Sequence, residues 1–122
     1  MTRAADDVRR RAPRLETQLE GTLLGRTPRP VTVIDLSETG CLVQCAGCPE
    51  PGSILDLEIQ LGDGPLRTKV RVAEASLDGV SLPSAPPRYL AGLAFLGLPV
   101  REESRLLRFL DDERRRRCAS GP

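Results

Sequence analysis

The chain has 122 residues, which is enough for one domain and too few for two separate hydrophobic cores. It contains 18 basic and 17 acidic residues, and this near balance argues against a surface that attracts nucleic acid as a whole. With two Phe, one Tyr and no Trp, few aromatic rings are present on which single-stranded nucleic acid could stack. The chain also lacks histidine and a glycine-rich phosphate loop, so we expect no catalytic residues and no enzyme activity.

The charge is distributed unevenly along the chain. Residues 1–14 contain five Arg and two Asp, whereas residues 15–100 contain six basic and ten acidic residues. The basic segments are therefore local features at the ends of the chain. No apolar run approaches the roughly 20 residues that a membrane helix needs, and the N-terminus lacks the apolar region of a signal peptide. We expect a cytoplasmic protein without membrane contact.

Residues 1–14 are predicted to form a flexible arm, because they are polar, charged and without apolar periodicity. Pro13 biases Ala12 away from the helical region, which favours an extended backbone from Arg10 to Arg14. Such an arm could become ordered when a ligand binds, and binding would then be converted into a conformational signal.

Six segments after the arm have the spacing and composition of β-strands. Alternating or short apolar runs, separated by turns rich in Gly and Pro, predict strands at residues 15–23, 31–36, 41–45, 53–61, 66–75 and 89–98, with a long loop at 77–88. Residues 101–117 instead place Leu106, Leu107, Phe109 and Leu110 at helical spacing, between early acidic residues and a basic end at 114–117. This order predicts an antiparallel barrel or sandwich at 15–99, a C-terminal helix at 100–117 and a tail at 118–122.

Two neighbouring predicted strands carry opposite charges. Asp56, Glu58 and Gln60 alternate with apolar residues on the first strand, and Arg67, Lys69 and Arg71 do so on the second, across a hairpin loop at 62–65. Cross-strand ion pairs are the structural interpretation of this pattern. Additional contacts to phosphate are the functional alternative.

The four cysteines have several possible roles. Cys41 and Cys45 fall on the same face of a strand, where small thiols pack well in a core. Cys45 and Cys48 form a Cys-x-x-Cys motif, which in other contexts binds zinc or exchanges disulfides. A zinc site here would have to recruit Cys41 and the distant Cys118, since the chain has no histidine and no second such motif. We therefore predict no metal site.

A polar turn written Asp35-x-Ser37-x-x-Gly40 lies between two of the predicted strands. On an extended backbone Asp35 and Ser37 leave the same face while Leu36 points the other way, so both could reach one ligand. Gly40 can adopt positive φ without cost and leaves room for a ligand against the backbone. The alternative is that these residues only stabilise a turn by bonding nearby amides.

The arm carries a second motif, Arg10-x-x-x-Arg14. An Arg guanidinium can pair with the O6 and N7 acceptors of guanine, grip a phosphate or stack on a purine. The carboxylate of Asp35 accepts hydrogen bonds from guanine N–H groups, so the two motifs together complement that base. The alternative is a solvated basic arm.

The two motifs, in this order and at this spacing, resemble the signature of the PilZ domain, a family that binds cyclic di-GMP in bacteria. Further similarities are the segment Gly92-Leu93-Ala94-Phe95 and the closing amphipathic helix. The resemblance implies a six-stranded antiparallel β-barrel with a C-terminal helix. It also implies a cyclic di-GMP site at Arg10, Arg14, Asp35, Ser37 and Gly40, with Arg9 and Arg11 as secondary candidates. No cofactor is implied besides this ligand, which could bind as one molecule or two.

Our preferred hypothesis is therefore a single-domain cyclic di-GMP receptor with a downstream protein partner. The alternative keeps the fold without the ligand, as a protein-interaction adaptor for a motility or secretion component. A third hypothesis, nucleic-acid binding through the arm and residues 114–117, is disfavoured by the balanced charge. The apolar stripe of the helix could also pair with a second copy in a homodimer.

Overall fold

The structure, a computed structural model, describes residues 14–78 and 87–119. Within these ranges it contains six strands and one helix, as the sequence predicts. They are β1 (Leu15–Leu24), β2 (Pro28–Leu36), β3 (Gly40–Cys45), β4 (Ile54–Leu61), β5 (Gly64–Leu77), β6 (Tyr89–Leu96) and α1 (Val100–Ala119). The predicted arm apart from Arg14, much of the predicted long loop and the end of the tail lie outside the described residues.

The strands form a closed barrel in the order β1-β2-β3-β6-β5-β4, and every neighbouring pair is antiparallel. The predicted six-stranded barrel is therefore confirmed. This topology brings the start of β1, the β2–β3 turn, the β4–β5 hairpin and the end of β6 to one end of the barrel. We call it the helix end, because α1 begins there. The connections β1–β2, β3–β4 and β5–β6 lie at the opposite end, the distal end.

The barrel interior is an aliphatic core. Inward-facing side chains alternate with outward-facing ones along the strands, as period-two sequences require. Cys41 and Cys45 belong to this core, as predicted, and burial raises the pKa of the Cys41 thiol above its ordinary range. The fully buried residues that fill the centre include Leu36, Leu57, Ile59, Leu66, Val33, Val43, Val70 and Val72.

Helix α1 completes the core at a gap between two strands. In the described residues β1 pairs with β4 only from Gly21 to Leu24, so the first half of β1 has no strand on that side. Leu106 and Leu110 of α1 are buried in the core cluster, 0% and 2% exposed. The helix therefore closes the core with these two leucines.

Polar contacts fix the N-terminal half of α1 on the β4–β5 hairpin. The Arg105 guanidinium donates to Asp63 Oδ1 at 2.8 Å and to the Pro65 carbonyl at 2.8 Å. Its hydrogen bond to Asp63 holds the pKa of that carboxyl below its usual value. Glu102 Oε2 accepts from the Arg67 amide at 3.1 Å.

Strand β2 starts earlier than the sequence predicts. It begins at Pro28, within the predicted turn. Residues before Val31 pair with β1 alone, and a proline is tolerated where no second strand needs its amide.

The predicted cross-strand ion pairs between β4 and β5 are confirmed. Arg67 Nε lies 2.7 Å from Glu58 Oε2, and Lys69 Nζ lies 3.2 Å from Asp56 Oδ1.

Candidate functional site

The helix end of the barrel brings together one residue from each of the two sequence motifs. Arg14 Nη1 lies 3.2 Å from Asp35 Oδ2, so the last arginine of the arm pairs with the first residue of the turn motif. The Asp35 side chain is 16% exposed and that of Arg14 is 43% exposed. A guanidinium and a carboxylate are thus presented side by side at the rim, where a ligand can reach both.

The position of Asp35 depends on irregular pairing on both sides of β2. The register between β1 and β2 shifts between Glu16 and Leu19, and the register between β2 and β3 shifts between Val33 and Asp35. An extra residue in a ladder bends the strand and redirects the side chains beside it. These bulges leave Asp35 at the rim while Leu36, the next residue, is fully buried.

Ser37 forms a turn rather than a continuation of the strand. Its Oγ accepts from the amides of Thr39 and Gly40, both at 3.2 Å, and its own amide donates to the Gly40 carbonyl at 2.9 Å. The residue is 3% exposed. Strand β2 ends at Leu36, so Ser37 lies in the turn that follows the strand, where its side chain is buried. The predicted bonds to nearby backbone are confirmed.

The positive φ predicted for Gly40 is wrong, and the structure shows another reason for a glycine at this position. Its φ is not in the left-handed region, unlike that of Gly52, Gly64 and Gly97. A Cβ built at Gly40 would lie 2.2 Å from the carbonyl oxygen of Leu93 on β6. The glycine therefore allows two paired strands, β3 and β6, to approach closely beside the site.

The remaining predicted contacts cannot be placed in this geometry. Arg9, Arg10 and Arg11 lie outside the described residues. Of the predicted ligand-binding residues, the structure thus brings together Arg14, Asp35, Ser37 and Gly40.

The sequence motifs did not reveal that the C-terminal helix reaches the same corner. Arg117 Nη2, in the last turn of α1, donates to the carbonyl oxygen of Glu16. Glu16 is the β1 residue opposite Asp35 in the β1–β2 register. The run of four arginines at 114–117 is a signal in the sequence, but only the docking of α1 shows which of them lies near the turn motif.

The Cys-x-x-Cys motif lies at the distal end, away from this corner. Cys45 is buried and Cys48 is exposed, and both are free thiols. Burial raises the pKa of the Cys45 thiol, while the nearby Arg29 opposes this effect. Among residues 14–78 and 87–119, no group of three or more His, Cys, Asp or Glu side chains could hold a metal ion.

Comparison with protein families decides the relationship suggested by the two motifs. The family described as "PilZ domain" matches residues 8–112, which is most of the chain. The chain belongs to the PilZ family. Its closed six-stranded barrel and terminal helix are the fold of this PilZ domain's structural neighbours.

Solved structures similar to this PilZ domain have low sequence identity. The PilZ domain of YcgR from Escherichia coli, solved with c-di-GMP, has a TM-score of 0.72 and 18% identity, over 92% of this chain and 97% of that one. The inhibitor of motility MotI/DgrA from Bacillus subtilis also has a TM-score of 0.72 and 18% identity, over 91% of this chain and 52% of that one. MrkH, described as a c-di-GMP-dependent transcription regulatory factor, has a TM-score of 0.67 and 16% identity, over 84% and 49%. The chain thus spans about half the length of the last two.

No curated protein matches the chain. In the described part of the PilZ domain, no helix is both long enough and apolar enough to cross a membrane.

Proposed function

We propose that this PilZ domain is a receptor for cyclic di-GMP and that Arg14 and Asp35 form the centre of its site. The observation that carries the proposal is their 3.2 Å contact at the rim of the barrel, next to a turn held by Ser37. A free, flexible pair of charges would bind a planar base weakly, because ordering the side chains costs conformational entropy. Here the ion pair between them restricts both side chains at the rim of the barrel.

The proposed contacts follow from the hydrogen-bonding groups of guanine and phosphate. The Arg14 guanidinium donates to guanine O6 and N7 or to a phosphate, and the Asp35 carboxylate accepts from guanine N–H groups. Ser37 and Gly40 then act mainly by fixing the turn that presents Asp35, through the Ser37 Oγ bonds and the close approach of β6. The bound ligand in the E. coli YcgR structure supports this choice of nucleotide.

The arm supplies the second half of the proposed site. By family resemblance Arg10 contacts guanine or phosphate together with Arg14, and Arg9 and Arg11 are secondary contacts. Arg14 contacts Asp35, and Arg10 precedes Arg14 by four residues in the sequence. We propose that ligand binding fixes this segment on the barrel and so signals to a protein partner.

Isothermal titration calorimetry with cyclic di-GMP tests the proposal. We expect saturable binding with a dissociation constant of about 1 μM or tighter. Arg14→Ala and Asp35→Ala should each weaken it by at least roughly tenfold, since each removes charge-assisted hydrogen bonds. Thermal unfolding of Arg14→Ala should change little, because the Arg14 side chain is 43% exposed and an ion pair screened by water contributes only about 0–1 kcal/mol to stability.

The Arg67–Glu58 ion pair provides matched control variants. Its atoms lie 2.7 Å apart, and the Glu58 side chain is 19% exposed, similar to Asp35. Arg67→Ala and Glu58→Ala should therefore leave cyclic di-GMP affinity unchanged within about twofold. Absence of binding by the unaltered chain would contradict the receptor proposal and favour the protein-interaction adaptor.

A further inference from the structure

The last turn of α1 lies beside the proposed nucleotide site. Arg117 Nη2 donates to the carbonyl oxygen of Glu16, whose Cα is paired with that of Asp35. Paired Cα atoms in an antiparallel ladder lie about 4.5–5.5 Å apart, and Glu16 is two residues from Arg14. The helix therefore adds a third charged side chain to the corner occupied by Arg14 and Asp35.

Arg117 differs from its neighbours in how its charge is balanced. Arg115 contacts Asp111 and Asp112, and Arg116 Nη2 lies 3.0 Å from Glu113 Oε1. Within the described ranges, no carboxylate lies within ion-pair distance of Arg117. Its partner in the described part of the chain is a single backbone carbonyl, so donors of its guanidinium remain for an anion.

Arg117 also lines a groove, which leaves its guanidinium accessible from the helix side. The groove has a volume of about 660 Å³ and lies between α1, the first half of β1 and the β4–β5 hairpin. This volume is within the roughly 300–1,000 Å³ range of small-molecule sites. Thr17 and Gln18 line the β1 side, and Arg108, Arg116 and Arg117 line the helix side. Three carboxylates also line it, and each has an arginine partner: Asp63 is bonded to Arg105, Asp112 lies 3.8 Å from Arg115, and Glu113 lies 3.0 Å from Arg116.

We propose that Arg117 is a further ligand-binding residue, which contacts a phosphate of the nucleotide held by Arg14 and Asp35. This inference rests on the proposed receptor function and extends the site from the barrel to the C-terminal helix. A phosphate at this corner would lie between two guanidinium groups, Arg14 and Arg117, that enter from different elements. A planar, permanently charged fork suits phosphate better than it suits a single carbonyl.

The experiment compares full-length Arg117→Gln with Arg115→Gln by calorimetric titration of cyclic di-GMP at two salt concentrations. Both variants lose one positive charge from the same helix end, but Arg115 is paired with helix acids. We expect Arg117→Gln to weaken binding about tenfold and to reduce its salt dependence, because one ionic contact is lost. Arg115→Gln should bind within about twofold of the unaltered chain, and Arg117→Lys should keep part of the affinity.

The outcomes separate this inference from the receptor proposal. If the unaltered chain binds cyclic di-GMP and Arg117→Gln binds equally well, the inference is overturned while the receptor proposal stands. A lower melting temperature of Arg117→Gln with unchanged affinity also overturns it, since Arg117 would then only tether the helix to β1. Equal weakening by both variants would indicate a general charge effect and would likewise exclude the contact. If the unaltered chain binds no nucleotide, the receptor proposal itself fails.

Discussion

At the scale of single residues, the motif Asp-x-Ser-x-x-Gly divides into two physical roles. Asp35 is at the rim and paired with Arg14, whereas Ser37 is buried and bonded to the backbone of the turn. The sequence argument required an arm arginine to lie near Asp35, because the two motifs were expected to bind the same guanine. The burial of Ser37 in a turn was not predictable from alternation, because alternation assumes that the strand continues beyond Leu36.

The role of Gly40 leads to a prediction about stability. Gly40→Ala should lower the free energy of unfolding by about 1–3 kcal/mol, because the added Cβ would lie 2.2 Å from the Leu93 carbonyl oxygen and would force β3 and β6 apart. Chemical denaturation measures this change. Binding of cyclic di-GMP should also weaken, since the turn after Asp35 ends at Gly40, whose amide donates to Ser37 Oγ.

Gly62→Ala is the matched control for this substitution. Gly62 is exposed in the β4–β5 hairpin, has no positive φ, and its added Cβ would meet no atom within 4 Å. Its unfolding free energy should change by less than about 0.5 kcal/mol. Equal stability of the two variants would show that β3 and β6 can separate at Gly40 without cost.

At the scale of secondary-structure elements, α1 adds buried leucines to the core of a barrel in which β1 and β4 pair over only four residues. The helical spacing of its apolar residues could be read from the sequence, and so could its acidic start and basic end. The short pairing between β1 and β4 could not be read from the sequence, because the register of these strands depends on contacts between distant segments. The bulges around Asp35 escaped prediction for the same reason.

Neighbouring leucines of α1 test this role of the helix. Leu106→Ala should destabilise the domain by about 2–5 kcal/mol, because the fully buried side chain leaves a cavity in the barrel core. Leu107→Ala makes the same chemical change at a side chain that is 41% exposed, and should cost less than about 1 kcal/mol. Urea unfolding curves of both variants measure the loss of unfolding free energy. Similar losses would contradict the packing of Leu106 against the barrel.

At the scale of the whole molecule, the topology separates the two ends of the barrel. The helix end carries Arg14, Asp35, the Ser37 turn and the last turn of α1, whereas the distal end carries the Cys-x-x-Cys motif. The sequence predicted the six strands well because most of them alternate and are bounded by Gly and Pro. The prediction that the strands close into a barrel came from the family resemblance, since strand spacing alone was equally compatible with a sandwich.

The central claim is that cyclic di-GMP binds at the helix end of this barrel. Amide chemical-shift mapping by NMR during titration with cyclic di-GMP tests it most directly, because it locates the ligand without altering the chain. The account predicts that the largest shifts occur at Arg14–Glu16, at residues 35–40 and around Arg117. Largest shifts at the distal end, from Cys45 to Ser53, or no shifts at all, would contradict it.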